Sequence, residues 1–97
     1  MRIVFHPKAR DELIESAQFY DSQTLGIGYR FLLSVDHVLA AIQHNPLLHT
    51  ADQQGHRKWR IKKFPYNLIY KIRGDYIFIL AVAHSSRKPG YWILREE

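Results

Sequence analysis

Three hydrophobic spacings follow one another along the chain. Arg2-Ile3-Val4-Phe5 is a short β-rich run, stopped by Pro7, which lacks a backbone donor and suits the first turn of a helix. From Pro7 to about Ser22, Ala9, Leu13, Ala17 and Tyr20 recur at i, i+4, i+8 and i+11, the spacing of one helical stripe. Asp11, Glu12 and Glu15 stand where negative charge complements that helix's dipole. A second helix is expected from near Thr24 or slightly later, because Gly26 and Gly28 weaken its first turn. Phe31, Val35, Val38 and Ile42 form its stripe, and Leu32 and Leu39 widen it. Asn45-Pro46 ends it, since the residue before a proline avoids the helical region.

Past a polar loop from His49 to Gly55 the period falls to two. Arg57–Phe64 alternates, Tyr66–Arg73 alternates less strictly, and Tyr76–His84 is apolar almost throughout, with Gly74-Asp75 as the hairpin turn between the last two. An uninterrupted apolar strand is covered on both sides or lies centrally in its sheet. The expected fold is therefore α+β in the order β-α-α-β-β-β. A helical hairpin packs on one face of a small, mainly antiparallel sheet, and the first strand lies beside the last. Two independent cores would each be too small in 97 residues, so a single domain over 1–97 is expected.

Several classes are excluded. The apolar fraction of 46% supplies a core and rules out a wholly disordered chain. With no cysteine there is neither a disulfide scaffold nor a thiolate metal site, which fits a reducing cytoplasm. The N-terminus turns charged before any signal-peptide stretch. The longest apolar run, Tyr76–Ala83, is eight residues, short of the roughly 20 that a membrane helix needs. A soluble, cytoplasmic protein with no membrane partner is the expectation.

Charge divides the chain. Residues 1–52 carry four Lys/Arg against six Asp/Glu, a net of −2, and residues 53–97 carry ten against three, a net of +7. Between Gly55 and Arg73 stand seven cations and no acid. That asymmetry points to an anionic partner, or else to a solvated basic face. Alternation along Arg57–Phe64 sends Lys58, Arg60 and Lys62 to one face, and Trp59 and Ile61 to the other. Such a row suits phosphate or carboxylate; lysines on an exposed strand also guard against edge-to-edge aggregation. With two helices covering one side, the other side of the sheet is expected to be bare, and Lys58, Arg60, Lys62 and Arg87 to gather there.

The tail, His84-Ser85-Ser86-Arg87-Lys88-Pro89-Gly90-Tyr91-Trp92, is the second cluster. His84, Arg87 and Tyr91 are the residue types for acid–base cleavage of RNA with cationic stabilisation of the phosphate. The simpler alternative has Tyr91 and Trp92 capping the core and His84 bonded to backbone. The six histidines form no HExxH and no i, i+4 helical pair, so neither metal nor cofactor is expected. No Gly-rich phosphate loop or GxSxG elbow occurs, and Ser85-Ser86 beside His84 lack an orienting acid nearby.

The element order, the opening IVFHPKARDELIESAQFY, the RIKKFPYNLIYKI hairpin and the closing ILAVAHSSRKPGYW together resemble the RelE/ParE superfamily of bacterial toxins over nearly the whole chain. F-P-Y followed by I-Y, and the H-x-x-R-x-P-x-Y-W tail, resemble the ParE-type branch more closely. The resemblance implies the toxin of a type II toxin–antitoxin pair, neutralised by a cognate antitoxin. ParE-type members poison DNA gyrase by binding; RelE-type members cleave messenger RNA on the translating ribosome without metal. For the RelE-type chemistry the resemblance carries over Arg60 and Lys62 as the basic pair, Arg87 as the late arginine and Tyr91 at shorter spacing, with His84 as a substitute acid–base group. Asn67 stands where that pattern has an arginine, a departure that favours the ParE-like reading. On that reading Lys58, Arg60, Lys62, Arg87 and Trp92 bind the partner. A non-toxic, basic nucleic-acid-binding module is the alternative from another class, and it predicts binding that weakens steeply with salt.

Overall fold

A computed structural model of the chain describes residues 1–96. It contains β1 (Arg2–Phe5), α1 (Pro7–Gln23), α2 (Ile27–His44), β2 (Arg57–Arg60), β3 (Tyr66–Arg73) and β4 (Tyr76–His84). A 3-10 turn over Ile93–Glu96 follows. The strands form one sheet in the order β1-β4-β3-β2, with β1 parallel to β4 and the other pairings antiparallel. The expected β-α-α-β-β-β order is met, and the most apolar strand has a neighbour on each side. No helix among the described residues is long and apolar enough to cross a membrane.

Helix α1 begins where Pro7 fills its first position. The His6 Nδ1 accepts the Lys8 N–H at 3.0 Å, satisfying one of the donors a helix start leaves free. That start places Asp11 and Glu12 beyond the first turn, which holds no acid, so the expected dipole pairing is not made. The hairpin to α2 is set by Asp21, whose Oδ1 accepts the N–H groups of Gly26 at 3.1 Å and Gly28 at 2.7 Å. Gly26 turns the chain with φ 93°. At Gly28 the helices touch: a Cβ there would stand 2.3 Å from the Ala17 carbonyl oxygen.

The main core lies between the hairpin and the sheet, with Phe31, Val35, Val38 and Ile42 of α2 against Leu68, Tyr70, Ile77 and Ile79. Each such aliphatic side chain contributes about 1.5–3 kcal/mol by leaving water. At one end the rings of Tyr20, Phe31, Phe64 and Tyr66 meet at centroid distances of 4.9–6.1 Å.

Two expectations are corrected. The second face is not bare: Tyr91 and Trp92 fold back over Ile69, Leu80, Ala81 and Ala83. A register shift at Ile69/Tyr70 leaves Leu80 as an extra residue on β4, and water must be kept from both sides of that strand. The other correction concerns the strand expected over Arg57–Phe64, which stops at Arg60. Continued alternation would have put Lys63 in the core and Phe64 among the cations. Instead Ile61 donates its N–H to the Tyr66 carbonyl at 2.9 Å, Lys63 takes φ 70°, and Phe64 reaches the aromatic cluster. Pro65, with no N–H to give, suits a turn and not a ladder.

Gly28→Ala is expected to destabilise the fold by about 1–3 kcal/mol, because the added methyl must separate the two helices. The midpoint of urea unfolding measures it; an unchanged midpoint contradicts the close-contact account.

Candidate functional site

Along β2 the alternation holds for all four residues. Lys58 and Arg60 are exposed on the second face, and Trp59 turns to the helix side, where His49 meets its ring edge-on at 4.3 Å. In register, Lys58 pairs with Ile69 and Arg60 with Asn67. These residues, with His84, Arg87 and Trp92, line a cavity of about 310 Å³ on the second face. A second cavity of about 310 Å³ shares Lys58, Ile69, Pro89 and Trp92 with it and reaches Asp52 and His56. The two make one groove, with cations concentrated at the His84 end. Lys58 and Arg60 have no acidic partner among the described residues.

Of the four cations expected together, Lys58, Arg60 and Arg87 meet at this cavity and Lys62 does not. Because β2 ends at Arg60, Lys62 enters the turn and lines a separate cavity of about 320 Å³ with Leu33, Ser34 and His37 on the helix side. Trp92 walls the groove. Its Nε1 is buried with no hydrogen-bond partner among the described residues.

His84 leaves β4 at the cavity, with its ring edge-on to Tyr66 at 5.0 Å. Its Nδ1 accepts the Ser86 N–H at 3.0 Å and lies 2.7 Å from the Ser86 hydroxyl. A neutral ring in that network carries its proton on Nε2, an assignment that follows from the bonding partners. Tyr91 is not among the residues lining the cavity. Its hydroxyl donates to the Glu12 Oε2 at 2.8 Å. Burial, and then the bond to that carboxylate, push the phenol well above its ordinary value.

Glu12 is the residue that sequence reasoning missed. Its Oε1 accepts the Val82 N–H at 3.0 Å and Arg95 Nη1 at 2.8 Å, while Oε2 accepts Tyr91 Oη and Arg95 Nη2, the latter at 3.0 Å. Arg95 Nη1 also donates to the Leu80 carbonyl at 3.0 Å. Strand β1 pairs with β4 only as far as Ile79. Beyond it, a side-chain pair from α1 and the tail supplies the partners that β1 does not. The available signal was position: Glu12 lies three residues after Ala9 and one before Leu13, on the buried stripe. Arg87 stands nearby, its Nη1 3.6 Å from Glu12 Oε2 and its guanidinium carbon 3.8 Å from the centre of the Tyr91 ring. No group of three or more His, Asp or Glu side chains among the described residues is placed to hold a metal ion.

Residues 3–89 match the profile of a family described as the ParE toxin of type II toxin–antitoxin system, parDE. Among solved structures, the chromosomal ParDE toxin–antitoxin system from P. aeruginosa is similar with a TM-score of 0.76 at 15% identity, over 87% of this chain and 95% of that one. The YoeB/ParE toxin from Agrobacterium tumefaciens is similar with a TM-score of 0.60 at 13% identity, over 87% and 98%. At such identities the structural likeness establishes the fold alone. No curated protein matches the chain significantly.

The far end of the tail is held by Glu96, whose carboxylate lies 2.6 Å from His56 Nε2 and 2.8 Å from Lys71 Nζ. Burial raises its pKa, but Lys71 and His56 outweigh that and hold it below the ordinary 4.5. A carboxyl depressed on folding contributes stability above its unfolded value, and that contribution fades as pH falls through the folded one. Acidification below 4.5 is therefore expected to loosen the tail, read as shifts of the Ile93 and Arg95 amide resonances. Glu96→Gln should flatten this response; an unaltered response in that variant contradicts the assignment.

Proposed function

The chain belongs to the ParE toxin family of type II toxin–antitoxin systems, and from that premise we propose that it arrests growth by binding DNA gyrase in the cytoplasm. A cognate antitoxin holds it inactive by covering the cationic end of the second-face groove. The observation that carries the reading is the composition of the cavity wall. Lys58, Arg60 and Arg87 converge as an anion-seeking surface, whereas the RelE-type cleavage set is not assembled around them. Asn67 replaces one arginine, Lys62 has turned to the helix side, and the Tyr91 hydroxyl is committed to Glu12. Loss of a positioned charge donor in such chemistry costs roughly 3–4 kcal/mol of transition-state stabilisation, and here more than one is missing. Binding asks less of the geometry.

The exposed edge of the short strand β2 supports a docking role. Lys58 and Arg60 on an edge strand repel a second copy of the same edge and attract an acidic one. An acidic, extended antitoxin segment laid along β2 satisfies both the free backbone groups and the cations. The ribosome-dependent ribonuclease reading keeps one point in its favour, that His84 shares the cavity with Arg60 and Arg87.

Induction of the chain alone is expected to stop growth, and co-expression with an adjacently encoded antitoxin to restore it. Purified protein added to gyrase and supercoiled plasmid should yield gyrase-dependent double-strand breaks, and the Arg60→Ala/Arg87→Ala variant should lose most of that effect. Transcript ends should stay unchanged. Codon-linked cuts in messenger RNA with no gyrase-dependent breaks would transfer the assignment to the ribonuclease. A harmless product whose nucleic-acid binding collapses with salt would remove both toxin readings.

A further inference from the structure

We propose that Tyr91 is a positioning residue for the cation cavity. Its ring, fixed through the hydroxyl bond to Glu12, is the platform that holds the Arg87 guanidinium where Lys58, Arg60 and Arg87 share one multiply charged oxyanion. The proposal rests on the reading of the cavity as an anion-binding surface, but not on gyrase being the target.

Arg87 follows the end of β4 in a turn, and its side chain is 53% exposed. An arginine so placed samples many rotamers, and that freedom is lost when it is fixed. Two contacts restrict it beforehand. Its guanidinium carbon stands 3.8 Å from the centre of the Tyr91 ring, the shortest cation–ring distance among the described residues. Its Nη1 is 3.6 Å from Glu12 Oε2, near enough to be drawn and too far for a strong hydrogen bond. Glu12 is already engaged by Arg95, Val82 and the Tyr91 hydroxyl, so it orients Arg87 without taking over its charge. The ring is itself held, at one end by Glu12 and on its flank by Trp92, whose ring meets it edge-on at 5.2 Å.

The ligand class follows from the charges. Lys58 and Arg60 bring to the same cavity two cations without acidic partners among the described residues, and like charges held together without a counter-charge are costly. An oxyanion with more than one negative charge removes that cost, and arginine's planar fork suits oxygens paired at phosphorus or carbon. Phosphate and clustered carboxylates share this chemistry.

Inorganic tripolyphosphate and citrate, titrated calorimetrically at low salt, are the two probes, and the tighter one names the source of the oxyanion. Wild type is expected to bind, and Arg87→Ala to weaken binding by about tenfold, the equivalent of one charge-assisted contact. Tyr91→Leu should lose most of the same factor although Tyr91 does not line the cavity. In an Arg87→Ala background, Tyr91→Leu should cost nothing further. Arg87→Lys, which keeps the charge and loses the flat stacking surface, should weaken binding by about threefold or more without threatening the fold. Melting curves report the structural role of the ring, since Tyr91→Leu should lower the melting temperature in the Arg87→Ala background too, where affinity for the probe no longer responds to it. The proposal is overturned if wild type binds neither probe or if Tyr91→Leu leaves affinity unchanged. It is equally overturned if Tyr91→Leu weakens binding by the same factor when Arg87 is absent. Failure of the gyrase assay alone leaves these measurements, and this inference, intact.

Discussion

A strand that outruns its neighbour leaves backbone donors and acceptors with nowhere to go. Here β4 continues beyond the four-residue β1, and the carboxylate of Glu12 with the guanidinium of Arg95 takes the place of the missing strand. The Glu12 Oε1 covers the Val82 N–H and the Arg95 Nη1 covers the Leu80 carbonyl, while the two side chains also pair with each other. Buried ion pairs are poor sources of net stability, but breaking one is costly because it strands the other charge. The pair therefore acts as a condition on the fold: α1, the end of β4 and the tail must be in place together.

The groove on the second face is built on that condition. With Arg95 fixed, the tail crosses the second face, Tyr91 and Trp92 cover the apolar residues there, and Glu96 reaches His56 and Lys71. Trp92 then forms one wall of the groove, and β2 forms the other with Lys58 and Arg60. The basic half of the chain is thereby sorted. Lys71, Arg73 and Arg95 are used up inside the molecule, and Lys58 and Arg60 face outward with no ion-pair partner among the described residues. For a ParE-family toxin this gives a cationic face whose shape depends on helix α1, although no residue of α1 lines it.

Periodicity made the helices and strands readable because burial dictates it. The stripes on α1 and α2, the stop at Asn45-Pro46 and the Gly74-Asp75 turn needed no tertiary knowledge. The same pattern misled where a local turn competes with it. Ile61 and Phe64 both belong to the core, yet three residues apart they cannot share one face of a strand; that mismatch was the available sign that β2 ends at Arg60 and that Lys62 leaves the row. The covered second face was implied by the unbroken apolar run in β4 but needed a cover, and Tyr91-Trp92 was the aromatic pair to hand. That Lys58, Arg60, Arg87 and His84 are candidates for one surface was legible from type and position, and they line one cavity. Glu12 stood out only as a carboxylate on the buried stripe of α1; its pairing with Arg95, 83 residues away, is recorded by no local spacing.

Amide hydrogen exchange on Glu12→Gln tests the dependence of the tail on the α1 carboxylate most directly. The account predicts that the Val82, Ile93 and Arg95 amides lose protection together, while amides that face one another across β3 and β4, such as those of Lys71 and Phe78, keep theirs. Retention of full protection at Ile93 and Arg95 in the variant would contradict it.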